Sequence, residues 1–428
     1  MRNFLFGITL CLTLGCIGCG SAIIGNMTTG PSSPSSTTPL PPALIEPPTM
    51  GVTGHNVFWW SIPWPPVQIA TIRSFDSGWC FLEPTPGVWD FTTLDKDVER
   101  AQAENAQLEL VLENPPGWVT GGPNGCVQPQ FLLPPSIPDW ITYVSIVGNR
   151  YKGKVHVYEC KNEPDQPSEY GGTIAQLVPL CQAEYDTLKS IDPTITVTSP
   201  AFSGSSNAVS YAASYLQAGG IKSLDVINIH FQSEPNPEAM VSYYGGFQNL
   251  KTSEKLTNIP VWITECGYMI ASGPNAKNPY TFPAGSRVLD SALSQEYVAR
   301  MHLVAWALGV PKILWYAWGD DEYALVDDQG HTPKPATVAY GEVAALMSGL
   351  ELLSYKVDSS GTWTLNIQDA NGNPVHILWN ENELTESVAV PSSWKVSQVQ
   401  DLNGNTISLS GGSVSIAGLP IILKSSGN

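Results

Sequence analysis

The stretch Val155-His-Val-Tyr-Glu-Cys-Lys-Asn162-Glu163-Pro164 decides how the rest of the chain is read. It is an apolar-rich strand ending in an Asn-Glu-Pro turn, so a carboxylate sits where a buried strand runs out. A second stretch, Ile259-Pro-Val-Trp-Ile-Thr-Glu265-Cys-Gly267, has the same design, an apolar run closed by an acid and a glycine. An ionised carboxylate is costly to remove from water. Two buried strands that both finish on an unpaired acid therefore imply a matched pair of carboxylates facing one cleft.

Outward from these two runs, short apolar segments alternate with amphipathic ones. The segments are Asn56-Val-Phe-Trp-Trp60 and residues 69–75, 108–112, 154–158, 195–198, 224–230, 261–265 and 312–316. Several are apolar on both faces, as parallel strands covered by helices are. Helical periodicity lies between them: Leu94, Val98 and Ala101 after Thr92 or Thr93 as cap, residues 294–308, and Ala339, Val343 and Leu346. Eight alternating units predict a (β/α)₈ barrel over residues 51–350, with active groups at the C-terminal strand ends. Glu163 then ends the fourth strand and Glu265 the seventh.

Beyond residue 350 the period changes to two. Trp363, Leu365 and Ile367 alternate with polar residues, and Asn371-Gly372, Asn403-Gly404 and Gly411-Gly412 punctuate further short runs. This predicts a small antiparallel, β-sandwich-like accessory domain over residues 351–428. It is marginal for an independent core, so it is expected to pack on the barrel. At the other end, Arg2, the apolar run 4–14 and the Gly-Cys pairs Gly15-Cys16 and Gly18-Cys19 read as a signal peptide over residues 1–20. It is of plain secretory or of lipoprotein type, with Cys19 or Cys16 carrying the lipid. The expected location is outside the cell or lipid-anchored at a bacterial cell envelope, with a lipid as the sole membrane tether. Residues 21–50, rich in Pro, Ser and Thr, read as a linker.

The net charge of −18 repels phosphates and argues against nucleic acid as a partner. It suits a soluble protein acting on a neutral polymer, expected to be a monomer, and some of the 14 Trp and 16 Tyr would be platforms for sugar rings. Of the five cysteines after the signal, Cys80 and Cys126 lie in Gly/Pro-bearing loops and are the expected disulfide. Cys160 and Cys266 lie in apolar strands and are expected to be buried thiols. No His/Cys/Asp cluster has metal-ligand spacing, so neither metal nor other cofactor is called for.

Paired carboxylates of this kind suit cleavage of a glycosidic bond, in which the leaving oxygen needs a proton and the anomeric carbon a nucleophile. Glu163 is the expected general acid/base, with Asn162 beside it to hydrogen-bond a sugar hydroxyl and Pro164 to stiffen the turn. Glu265 is the expected nucleophile, and Arg73 at the end of the second strand is the candidate for keeping it ionised. The Pro/Gly-rich loop over residues 115–138 is expected to wall one side of the cleft.

On these motifs the chain resembles the clan A glycoside hydrolases, retaining barrel enzymes with the acid/base on strand four and the nucleophile on strand seven. Asn162-Glu163-Pro164 and Trp262-Ile-Thr-Glu265 carry the likeness. Arg73-Ser-Phe-Asp76, Trp79 and Glu83-Pro-Thr-Pro-Gly-Val-Trp-Asp90 resemble the second-strand segment of families 5 and 39. Leu314-Trp-Tyr-Ala-Trp-Gly-Asp320 with Lys334-Pro-Ala336 resembles the eighth-strand segment of family 39, which also has a late β domain. The resemblance implies hydrolysis of β-glycosidic bonds in a polysaccharide or oligosaccharide by double displacement. It also implies His230 near the site and Trp315 as the floor under the sugar, with Trp318 and Trp59 or Trp60 as further platforms. Many clan members place a tyrosine after the sixth strand to bond the nucleophile. Here Phe231 and Gln232 follow His230, and the next tyrosine is Tyr243, so the partner of Glu265 is open at this point. Two other readings share these residues: a transglycosylase, and a non-catalytic carbohydrate-binding surface protein.

Overall fold

A computed structural model describes residues 46–425, apart from 55–63, 65, 233–234, 278, 283, 320–321 and 329–330. The predicted export signal, most of the predicted linker, and Trp59 and Trp60 lie outside the described residues. Eight parallel strands close into a barrel in sequence order. They are β1 (Thr49–Gly54), β2 (Thr71–Ser74), β3 (Gln107–Val111), β4 (Val157–Glu159), β5 (Thr196–Phe202), β6 (Val226–Gln232), β7 (Val261–Gly267) and β8 (Lys312–Tyr316). Seven coincide with the predicted runs. The first does not: β1 starts at Thr49, inside the stretch read as linker and ahead of the Asn56-to-Trp60 run.

The signal of β1 is weak for a physical reason. Thr49-Met-Gly-Val-Thr-Gly54 has two glycines and two large apolar residues, Met50 and Val52. Gly51 is required by close packing, because a Cβ there would lie 2.2 Å from the Thr71 carbonyl oxygen. Strand β1 seals the cylinder by pairing with both β2 and β8.

Helices cover the outside. Ile137–Arg150 starts on Ser136, whose side chain accepts from Asp139 N, with a proline in its first turn. Ile174–Ile191 carries a Thr173/Gln176 capping box. Ser291–Ala307 starts on Asp290, whose carboxylate accepts from Ala292 N and Leu293 N at 2.9 Å each. Thr92–Ala103 is capped by neither predicted threonine; Phe91 holds the N-cap position without a side-chain bond.

Inside the barrel a polar ladder runs from the lower to the upper end. Lys312 of β8 reaches Glu109 of β3 at 3.5 Å, Arg73 of β2 grips Glu159 of β4, and Asn228 of β6 donates to Glu159 at 2.7 Å. Thr264 of β7 donates to Asn228 at 2.5 Å, and Thr53 of β1 donates to the Thr264 carbonyl at 2.7 Å. Most of the buried polar atoms in this ladder are paired, which removes much of their desolvation cost; Oε1 of Glu109 is the exception.

The C-terminal region forms a five-stranded antiparallel sheet in the order Leu350–Val357, Thr362–Asp369, Pro374–Asn380, Ile421–Ser425, Val396–Asp401. A two-stranded ribbon, Glu386–Ala389 with Ser413–Ile416, packs on it around Leu378, Val414 and Leu423. The sheet is keyed to the barrel through Glu238: Trp379 donates to it at 2.7 Å, and the buried Arg300 holds it through bonds at 2.8 and 2.5 Å.

Cys80–Cys126 is bonded as expected. Cys160 is not a thiol: it is bonded to Cys181, while Cys266 is free and buried. The correction follows from position, since Cys160 just past β4 faces the helix Ile174–Ile191 that carries Cys181, with the two Cα atoms 5.5 Å apart.

Candidate active site

Arg73 is the hub at the upper end of the barrel. It is fully buried, as its place inside a closed cylinder dictates. Its Nε and Nη2 donate to Glu159 at 2.7 and 2.6 Å, Nη2 also to Asn162 Oδ1 at 2.9 Å, and Nη1 to Glu265 Oε1 at 2.5 Å. One planar fork thus spans β2, β4 and β7. Burial works against its charge, but Glu159 and Glu265 carry its pKa above the ordinary value. Glu159 is pushed up by burial and pulled back by Arg73. Every contact on its two oxygens is a donor, so we assign it as ionised.

Glu265 is aimed by an irregularity in β7. Ile229 pairs with Ile263, but the next residue, His230, pairs with Glu265, so Thr264 is the extra residue of a bulge. Thr264 and Glu265 both make inward contacts as a result. Glu265 receives Arg73 on Oε1 and Gln232 Nε2 on Oε2 at 2.6 Å. Burial raises its pKa, His230 and Arg73 oppose the rise, and Glu163 adds to it. Both oxygens face donors, which fits the charged form.

Glu163 is held by a strained turn. Lys161 has φ 107° and Glu163 has φ 36°, left-handed conformations that cost about 1–3 kcal/mol each. The surroundings fix them. Lys161 Nζ pairs with Glu113 at 2.6 Å, Asn162 N donates to the same carboxylate at 3.3 Å, and Ala201 N donates to the Lys161 carbonyl at 3.0 Å. The Cys160–Cys181 bridge anchors the residue just before the turn. Glu163 keeps 18% side-chain exposure against 7% for Glu265. Burial first, then the charge of Asp165, push its carboxyl up to about 7. Asp165 is itself held by Ser203 N at 3.0 Å and Ser205 Oγ at 3.0 Å.

His230 sits between the two acids, with Nδ1 2.6 Å from Glu163 Oε1 and 3.5 Å from Glu265 Oε2. Burial pushes its pKa down to about 4, so it is neutral at pH 7. One donor atom from each of Glu163, His230 and Glu265 lies within 4.8 Å of the others. That closeness also suits a metal, but the Arg73 guanidinium already puts a positive charge on Glu265. The donor set therefore reads as a carboxylate pair with its own internal cation.

The structure thus brings together Glu163, Glu265, Asn162, Arg73 and His230. It sends the two predicted tryptophans elsewhere. Trp315 is fully buried; its ring stacks on His302 of the helix Ser291–Ala307, and its indole nitrogen donates to the Tyr323 carbonyl at 3.1 Å. Residues alternate along a strand, so it is the half-buried Tyr316 that takes the other face. Trp318 is 3% exposed and packs in the main core, so neither ring has a free face for a sugar. Residues that sequence reasoning misses are Glu159, Asn228 and Glu113, and it names Gln232 without giving it a role. Asn228, His230 and Gln232 lie at spacing two on β6, one inward-facing polar row in an apolar strand, and that alternation was a readable signal. The loop over residues 115–138 meets the segment after β4 through Gly171 N to the Leu132 carbonyl at 2.9 Å.

No protein-family model matches the chain, and no curated protein matches it either. Solved structures do share its fold. A family 39 glycoside hydrolase from Bacteroides cellulosilyticus WH2 aligns with TM-score 0.67 at 18% identity, over 89% of this chain and 81% of that one. A family 39 β-xylosidase from Caulobacter crescentus aligns with TM-score 0.58 at 13% identity, over 92% and 98%. The catalytic domain of family 30 xylanase C from Talaromyces cellulolyticus aligns with TM-score 0.58 at 15% identity, over 92% and 99%. At these identities the likeness establishes a common fold.

Proposed function

We propose that the protein is a retaining β-glycosidase in which Glu163 is the general acid/base and Glu265 the nucleophile. The observation that carries this is the pair itself: two acids, one from the turn after β4 and one from β7, with oxygens within 4.8 Å of one another and unlike partners around them. Glu265 is surrounded by donors that favour its anion, while burial and Asp165 favour the protonated form of Glu163. Retention uses carboxyl groups about 5–5.5 Å apart, whereas inversion needs about 6.5–9.5 Å to admit a water. Glu163 would protonate the leaving oxygen as Glu265 attacks. The same residue would then deprotonate the water that resolves the glycosyl–Glu265 ester. Asn162, fixed by Arg73, would meet the sugar hydroxyl next to the reacting carbon.

The substrate we propose is a neutral β-linked polysaccharide or oligosaccharide, in keeping with the net charge of −18. One structural relative is a β-xylosidase and another a xylanase, so β-xylosides head the panel to be screened. Export with or without an N-terminal lipid, and a monomeric state, are part of the same proposal; export rests on residues 1–20. The test is turnover of aryl β-glycosides and purified polysaccharides by the wild type and by Glu265→Ala. The mutant is expected to lose nearly all activity and to regain part of it with azide, giving a glycosyl azide of inverted configuration. An undiminished rate in the mutant overturns the assignment.

A further inference from the structure

The clearest departure from the clan A resemblance lies against Glu265. The tyrosine expected after strand six is missing, and Tyr243, the next one in the chain, donates its hydroxyl to the Ser203 carbonyl. Gln232, the last residue of β6, stands at Glu265 instead, with Nε2 2.6 Å from Oε2. A carboxylate only accepts, so the amide must present N–H to it. The two oxygens of Glu265 are therefore held differently. Oε1 is tied to Arg73, which has no exposed surface, while Oε2 is tied to Gln232, which is half-buried at the strand end.

We propose that Gln232 is the positioning residue of the nucleophile, fixing the carboxylate plane so that Oε2, the oxygen on the cleft side, is the one that attacks. The inference rests on reading Glu265 as the nucleophile. The charged or titratable groups facing Glu265 are Arg73 from β2, Glu159 and Glu163 from β4 and its turn, His230 from β6, and Cys266 on its own strand. Gln232 bonds Oε2 without carrying a charge at any pH. A phenol in its place would titrate near 10, whereas a carboxamide does not titrate at all. The amide also keeps a second N–H and a carbonyl oxygen after bonding Glu265.

The experiment compares Gln232→Ala, Gln232→Glu and Glu265→Ala on an aryl β-glycoside with a good leaving group, across pH, with melting curves to confirm folding. Losing one hydrogen bond to a charged acceptor predicts a fall in kcat/KM of about 10- to 100-fold for Gln232→Ala, carried by kcat. Its acid limb should rise, because the anion of Glu265 has lost a donor. In Gln232→Glu the new acid donates only when protonated, so the optimum should move to lower pH and part of the rate should return there. Wild-type kcat/KM and pH profile in both variants overturn the proposal. So does a loss in Gln232→Ala that sits in KM with an unmoved acid limb, which would make Gln232 a substrate contact. A fully active Glu265→Ala overturns the nucleophile assignment and this inference with it. An inactive Glu265→Ala beside a wild-type-like Gln232→Ala removes this inference alone.

Discussion

Replacing Arg73 by Met tests the electrostatic core of the site. The guanidinium is the internal cation for Glu159 and Glu265, with donor distances of 2.5 to 2.7 Å. Contacts of that length place the charge centres about 4 Å apart, where unit charges interact by about 4 kcal/mol at an effective dielectric of 20. At about 1.4 kcal/mol per unit, that is about three pH units on the ionisation of Glu265. The sign is upward, because the lost charge favoured the anion. The nucleophile must be ionised to attack, so the acid limb of kcat/KM should climb by about three units, and the loss of rate should approach about 10³-fold at pH values below the wild-type limb. Stranding buried carboxylates should also cost about 3–5 kcal/mol of stability. The assay is initial rate against pH on an activated aryl glycoside, at a temperature where the melting curve shows the variant folded. Arg73→Lys separates charge from geometry. It keeps the cation but cannot serve Glu159, Asn162 and Glu265 together, so kcat should drop while the acid limb moves by less than about one unit. A folded Arg73→Met protein with an unmoved acid limb and kcat/KM within about threefold of wild type would refute the reasoning.

Two further outcomes follow from the same geometry. Glu163→Ala should retain turnover of substrates with activated leaving groups and lose most turnover of natural glycosides, and the alkaline limb that its carboxyl sets near 7 should vanish from the wild-type pH profile; equal losses on both substrate types would count against the acid role. Asp97 is buried beside Asp76, and burial together with that neighbour raises its pKa in the folded chain. Folding then favours the protonated form, so stability is lost as pH rises above the unfolded value near 3.9, and Asp97→Asn should raise Tm at pH 8 more than at pH 4; a larger gain at pH 4 would contradict the assigned direction.

The barrel was legible because seven of its strands fall in short apolar-rich runs that alternate with amphipathic stretches. The remaining one, Thr49–Gly54, is defined by a close backbone approach at Gly51, a requirement of packing that leaves no hydrophobic signal. Glu163 and Glu265 were legible because charge at the end of an apolar strand is conspicuous. In the sequence Gln232 stands out only as a departure from the tyrosine that the resemblance implies, and the register of β6 against β7, with its bulge at Thr264, reveals it as the contact. Trp315 misled for the converse reason. A tryptophan on strand eight looks like a sugar platform, but strand alternation turns this one outward onto His302. The apolarity of its strand makes Cys160 look like a buried thiol, whereas its partner Cys181 lies on a helix that covers that strand.

The most direct measurement is to trap the intermediate. The protein is incubated with a 2-deoxy-2-fluoro β-glycoside carrying a good leaving group, chosen from the sugars it turns over, then digested, and the modified peptide is sequenced by mass spectrometry. The account predicts one glycosyl ester per chain, on Glu265. A label on any other residue, or full turnover with no ester formed, would contradict it.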